Sequence, residues 1–156
     1  MEPTGTLRPA HTELAAVRVR RAEMRERLGE VENALAAPAS GQEVMWGNAV
    51  HAALLLLEAD FAAHIEVTEG PGGLHESILD GDLRLANAVD VLTGEHAEIR
   101  TRLRALVADS APPVYSGDVD QLRERATTLL ARLARHRQRG ADLVYEAFHT
   151  DVGGGD

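Results

Sequence analysis

The chain has 156 residues, 44 % of them apolar but only 3 % aromatic, with a formal charge of −9 and no cysteine. That length suffices for one domain burying roughly 70 % of its extended surface, around a core of Leu, Val and Ala that suits helices better than sheets. The missing cysteines exclude disulfides, thiolate zinc sites, iron–sulfur clusters and thiol catalysis, and the acidic balance disfavours nucleic acid as the main partner.

Residues 1–8 read as an N-terminal arm that lacks the apolar stretch of a signal peptide. The longest apolar run, 52–57, is far too short to cross a bilayer. The expectation is a cytoplasmic protein with no membrane partner, its protein partner, if it has one, not named by the residues.

A first helix is predicted over 9–37, opened by Pro9 and stopped by Pro38. Its inward seam is His11, Leu14, Val17, Arg21, Met24, Leu28, Val31 and Leu35. Arg21 is the one charged member, expected to snorkel or to pair with a carboxylate. Ser40-Gly41-Gln42-Glu43 reads as a capping box opening a second helix. Val50, Leu54, Leu57, Phe61, His64 and Thr68 follow at alternating four- and three-residue steps, the seam of a helix packed lengthwise on others. Gly70-Pro71-Gly72-Gly73 ends it, and 74–80 has room for one or two short turns.

A third helix is expected from Asp82, with Leu85, Val89, Leu92, His96, Ile99, Leu103 and Leu106 in its seam and Gly94 as a place to kink. After a loop around Pro112-Pro113, Asp118 can cap a fourth helix. Its seam is Leu122, Ala126, Leu129, Leu133, His136, Gly140, Leu143 and Ala147. Arg132, Arg135 and Arg139 form a basic stripe on that helix, read as a solvated face or as a site for an acidic surface. Residues 152–156 read as a frayed tail. Helices of about 27 to 34 residues, near 40 to 50 Å each, make an all-α, up-down-up-down four-helix bundle over 9–151.

Four of the seven histidines (His11, His64, His96 and His136) fall in inward positions, one on each predicted helix. His51, His75 and His149 fall outside the seams. Neutral imidazoles in a bundle core are costly unless each nitrogen has a partner, and a metal supplies several partners at once. Imidazoles with carboxylates and no sulfur suit Fe, Mn or Zn. The Glu-x-x-His motif of ferritin-like sites occurs only as Glu146-Ala147-Phe148-His149, and His-Glu-x-x-His is absent.

A His near the start of helix one, His64 closing helix two with acids after it, the Glu95-His96 pair and a His deep in helix four together resemble the hemerythrin-like, or HHE cation-binding, domain. The resemblance spans about 9–149. It implies a hemerythrin-like bundle with a non-haem di-iron centre that handles O2, a related small oxidant such as peroxide or nitric oxide, or iron itself. Oxidase- or peroxidase-like turnover is compatible with it and not specified by it. Carried over by position, His11, His64, His96 and His136 are the imidazole ligands. The family's acid four residues after the helix-two His is Thr68 here, which turns attention to Glu69; on helix four Asp142 and Glu146 are the nearest acids, neither well aligned, and Glu146 is taken as the candidate. Two alternatives stay open: a metal-free sensor or interaction module of the same fold, and a haem held by His96 and His136. A helix starting at Asp82 puts His96 about 21 Å along its axis, so His96 meets His64 only if 82–93 overhangs the bundle or Gly94 breaks the helix.

Overall fold

The computed structural model describes residues 8–153, with side chains from 15 to 148. Among the described residues there is no strand. Four long helices carry the structure: α1 (Arg8–Ala36), α2 (Glu43–Glu69), α4 (Ala86–Ser110) and α5 (Val119–Gly153). A short helix, α3 (Leu74–Gly81), and one 3-10 turn (Leu83–Leu85) join α2 to α4. α1 packs along α2, α2 along α4, and α4 along α5. No described helix is long and apolar enough to cross a membrane.

The seams are the buried faces. Val50, Leu54, Leu57 and Phe61 of α2 face Met24, Leu28, Val31 and Leu35 of α1, Ile99, Leu103 and Leu106 of α4, and Leu122, Leu129 and Leu133 of α5 in one apolar cluster. A second cluster gathers Val17, Leu74, Ile78, Leu85, Val89, Leu92, Leu143 and Ala147. Between the two, each described seam turns polar for one or two positions. These are Arg21 on α1, His64 and Thr68 on α2, His96 on α4, and His136 and Gly140 on α5.

Several local expectations shift. α2 is capped by Gln42 rather than Ser40, and Gln42 makes no side-chain capping bond. Its amide instead donates to the Pro38 carbonyl, while Glu43 reaches back to the Gly41 N–H at 3.1 Å. The Ser40–Glu43 capping box is therefore not formed. At α5 the Asp118 cap forms, accepting from the Gln121 N–H at 3.0 Å. The helix expected from Asp82 begins at Ala86, because Asp82 accepts from the Arg84 N–H and holds the 3-10 turn in front of it. α4 then runs unbroken through Gly94, which has open space around it and no reason to kink. α5 continues helical to Gly153, so the expected tail is helical at 152–153, while the arm at 1–7 and residues 154–156 lie outside the described residues.

The glycine-rich break is built by geometry that only glycine permits. Gly72 sits at φ 71°, in the left-handed region. A Cβ on Gly73 would fall 2.7 Å from the Gly70 carbonyl and 2.8 Å from that of Val67. The chain thereby folds back tightly enough for α3 to pack on α2 and α1. This short helix covers the part of α4 that extends past the end of α2, so the overhang is realised and α4 stays straight through His96.

Candidate metal centre

His64, His96 and His136 converge. Each offers a nitrogen, and the three nitrogens lie within 4.8 Å of one another. Ring centres are 5.1 Å apart for His64–His96, 5.9 Å for His64–His136 and 4.6 Å for His96–His136. A first-row ion about 2.0–2.1 Å from each nitrogen places three tetrahedrally disposed imidazoles roughly 5 Å apart, centre to centre. The observed spacings bracket that value. His96 is 2 % and His136 4 % exposed, and His64 is half-buried.

Two of the rings have a carboxylate behind them. His96 Nδ1 donates to Glu69 Oε2 at 2.6 Å, and His136 Nδ1 to Glu95 Oε1 at 3.0 Å. Glu95 is in turn held by Arg139. These bonds fix both imidazoles in the tautomer that leaves Nε2 free, the arrangement of carboxylate–histidine–metal triads. His64 differs: its Nδ1 is buried with no hydrogen-bond partner. A buried polar atom left unpaired costs about 1–3 kcal/mol, so this nitrogen calls for something at the site.

The three rings enclose, with Arg21, Thr68, Leu92 and Gly140, a cavity of about 30 Å³. That is room for one ion or one water. Phe61 closes the site on the apolar side, its ring centre 5.9, 5.8 and 6.4 Å from those of His64, His96 and His136. Burial pushes the His64 imidazole down to about 3, with His136 and then Arg21 adding repulsion. Burial likewise takes His96 to about 2 and His136 to about 4, the latter with help from Arg21. A carboxylate beside an imidazole favours its protonated form, and His64, unlike His96 and His136, has none hydrogen-bonded to it among the described residues. Neutral imidazoles are the ligating form.

The remaining predicted site residues fall as follows. Glu69 lies five residues beyond His64, which turns its side chain away from the His64 face; it reaches across to α4 and supports His96 there. Burial raises its carboxyl above the usual range, against the pull of Arg100. Thr68, at the family's acid position, donates its hydroxyl to the His64 and Ile65 carbonyls and so turns back on its own helix. Glu146 is exposed on α5 beside buried Leu143 and Ala147, and it is outside the three-histidine group. Ten residues from His136, it sits about 80° off that ligand's face. The side chain of His11 lies outside the described residues. Arg21 pairs with no carboxylate among the described residues; its guanidinium donates to the Arg137 carbonyl at 3.4 Å. The α5 stripe is partly neutralised, Arg132 by Glu98 and Arg139 by Glu95.

Two participants did not stand out in the sequence as members of this site. Glu95 was legible as the neighbour of His96, yet on α4 it points to His136 of α5. His75, the second residue of α3, is 7 % exposed and stacks face to face on His96 at 5.8 Å. Its burial follows from the fold-back at Gly72-Gly73, which no helical period encodes. Burial also lowers its basicity, and its Nδ1 is 3.4 Å from the Thr93 hydroxyl.

Fold and site together define an all-helical bundle with a buried three-histidine cluster able to hold a metal ion. No family model matches the sequence, and no curated protein or solved structure shows significant similarity to it.

Proposed function

We propose that this protein is a hemerythrin-like, up-down-up-down bundle that binds iron at His64, His96 and His136 and handles O2, peroxide, nitric oxide or iron itself. The observation that carries the reading is the convergence of three neutral imidazoles on a cavity of about 30 Å³, one of them with an unpaired buried nitrogen. The described donor set accounts for one ion. Glu69 and Glu95, the carboxylates nearest the rings, are engaged in orienting them, so a bridged pair of irons would require both to turn. Three imidazoles suit Fe, Zn, Cu or Ni. The choice of iron is supported by the order of the histidines along the chain, which resembles the HHE domain.

Bound there, iron supplies a redox-active Lewis acid with coordination positions left open to a small oxidant. The chain contributes the rest. Glu69 and Glu95 hold two ligand rings in position and raise their basicity. Phe61 and Leu92 keep water out, and Arg21 places a positive charge at the edge of the cavity, where it opposes a cation and favours an anionic ligand on it. A cavity this small excludes a macrocycle, since ligand pockets of organic size run to several hundred Å³.

The competing reading is a metal-free module. It is favoured by the carboxylate partners of His96 and His136, which pair the Nδ1 of each ring without an ion. Metal analysis of freshly purified protein, with a visible spectrum, separates the two. The expected result is about one iron per chain, lost in His64→Ala. A protein without metal, or a His64→Ala variant that keeps its full iron content, overturns the proposal.

A further inference from the structure

A second polar feature adjoins the histidine cavity and shares Arg21 and Arg137 with its lining. Arg18, Arg21 and Arg25 of α1 and Arg137 of α5 line a pocket of about 420 Å³, together with Ala22, Ala134, Gln138 and Ala141. No carboxylate is among these lining residues. None of the four guanidiniums has an ion-pair partner among the described residues. Elsewhere on this acidic chain several arginines are matched to acids, among them Arg20 to Glu23, Arg27 to Glu30 and Asp60, Arg125 to Asp109 and Arg132 to Glu98, and those with no ion pair among the described residues do not gather on one pocket.

Two of the four are also imperfectly satisfied. Arg137 Nε is buried with no hydrogen-bond partner among the described residues, and Arg21 makes only a long, 3.4 Å contact to a carbonyl. Gathered on one pocket with no carboxylate in its lining, the four guanidiniums repel one another. The chain has concentrated positive charge at one place while carrying −9 overall. The alanines keep the space between the guanidiniums open.

We infer that this pocket between α1 and α5 is a binding site for a compact oxoanion carrying two or more negative charges, of the phosphate or polycarboxylate type. Planar guanidinium forks match the oxygen pairs of both groups. An anion seated among them pairs the Arg137 Nε–H and removes the mutual repulsion of four cations. The volume exceeds what inorganic phosphate fills, so a diphosphate or a tricarboxylate fits better than a single small ion.

The test is calorimetric titration of the full-length, metal-free protein, dialysed free of chelator, at low ionic strength. Pyrophosphate and citrate are the probes, and their relative affinity assigns the phosphoryl or carboxylate source. Saturable binding tighter than roughly 1 mM is expected for at least one of them. Because Arg18 and Arg25 are exposed, Arg18→Gln/Arg25→Gln leaves the fold intact and should weaken binding about ten- to a hundredfold. Arg100→Gln/Arg104→Gln removes the same charge from exposed positions on α4 and should leave affinity within about twofold, as expected where screened surface charge alone is lost. Absence of saturable binding, or equal weakening in both double variants, overturns the inference. No metal is present, and Arg18 and Arg25 line this pocket and not the histidine cavity, so the result does not depend on an ion binding at the histidines.

Discussion

Acid should unfold the metal-free protein through its histidine layer, and the structure sets how steeply. In the unfolded chain each imidazole takes a proton near pH 6.5. In the folded chain burial holds His64, His96 and His136 neutral down to about 3, 2 and 4. The folded pKa values are depressed, so the associated stability is fully present above about pH 6.5 and is lost as pH falls toward those folded values. Each such imidazole contributes a slope of about 1.4 kcal/mol per pH unit, and three give about 4. A domain stable by about 5–15 kcal/mol would then exhaust much of that stability within two or three pH units. Glu69 and Glu95 soften the slope by favouring protonation of their partners, which makes about 1.4 kcal/mol per unit, from His64 alone, the floor. The assay is a series of urea melts of chelated and dialysed protein between pH 7.5 and 5. His64→Gln should flatten the dependence by about one imidazole's share. A wild-type slope below that floor at the acid end of the range, under about pH 5.5 where the unfolded imidazoles are almost fully protonated, or a His64→Gln slope equal to that of wild type there, refutes the reasoning.

Three other outcomes follow from particular contacts. Glu95→Gln removes the carboxylate behind His136 and should weaken metal affinity about 10- to 100-fold with little loss of helicity, read by competition with a chromophoric chelator and by circular dichroism. Phe61→Ala, at a side chain 1 % exposed, should cost about 3–5 kcal/mol in denaturant melts and admit water to the imidazoles. Arg123 donates to the Leu35 carbonyl at 3.0 Å and to that of Ala37 at 3.4 Å, and lies 5.1 Å over Trp46, tying the end of α1 to α5. Its replacement by Ala should destabilise by about 1–3 kcal/mol, with Lys failing to restore the fork and metal content unchanged.

The seams on α2, α4 and α5 were legible as residues because a strict four/three step has one physical meaning, a helix face buried against others. His96 and His136 lie where that step puts them. What the period does not carry is the relation between helices. The axial level of His96 against His64 depended on where α4 starts, and that was decided by a local Asp82–Arg84 bond and by α3 covering the overhang. The carboxylates were legible as types and misplaced as partners. Glu69 and Glu95 each serve the ring on a neighbouring helix, a choice set by the relative rotation of two cylinders, which neither sequence contains by itself. His75 was hidden for a similar reason, since a fold-back at two glycines leaves no periodic trace.

The polar layer at Arg21, His64, His96 and His136 divides the interior into two apolar blocks that share the same long helices and little direct contact between side chains. Such a molecule need not open all at once. The smaller block, with Val17, Leu74, Ile78, Val89 and Leu143, has its own floor in α3 and should loosen first, its amides exchanging with solvent while those around Leu54, Leu103 and Leu129 stay protected. An ion gripped from α2, α4 and α5 would rivet the halves together, so loading the centre should merge two exchange regimes into one.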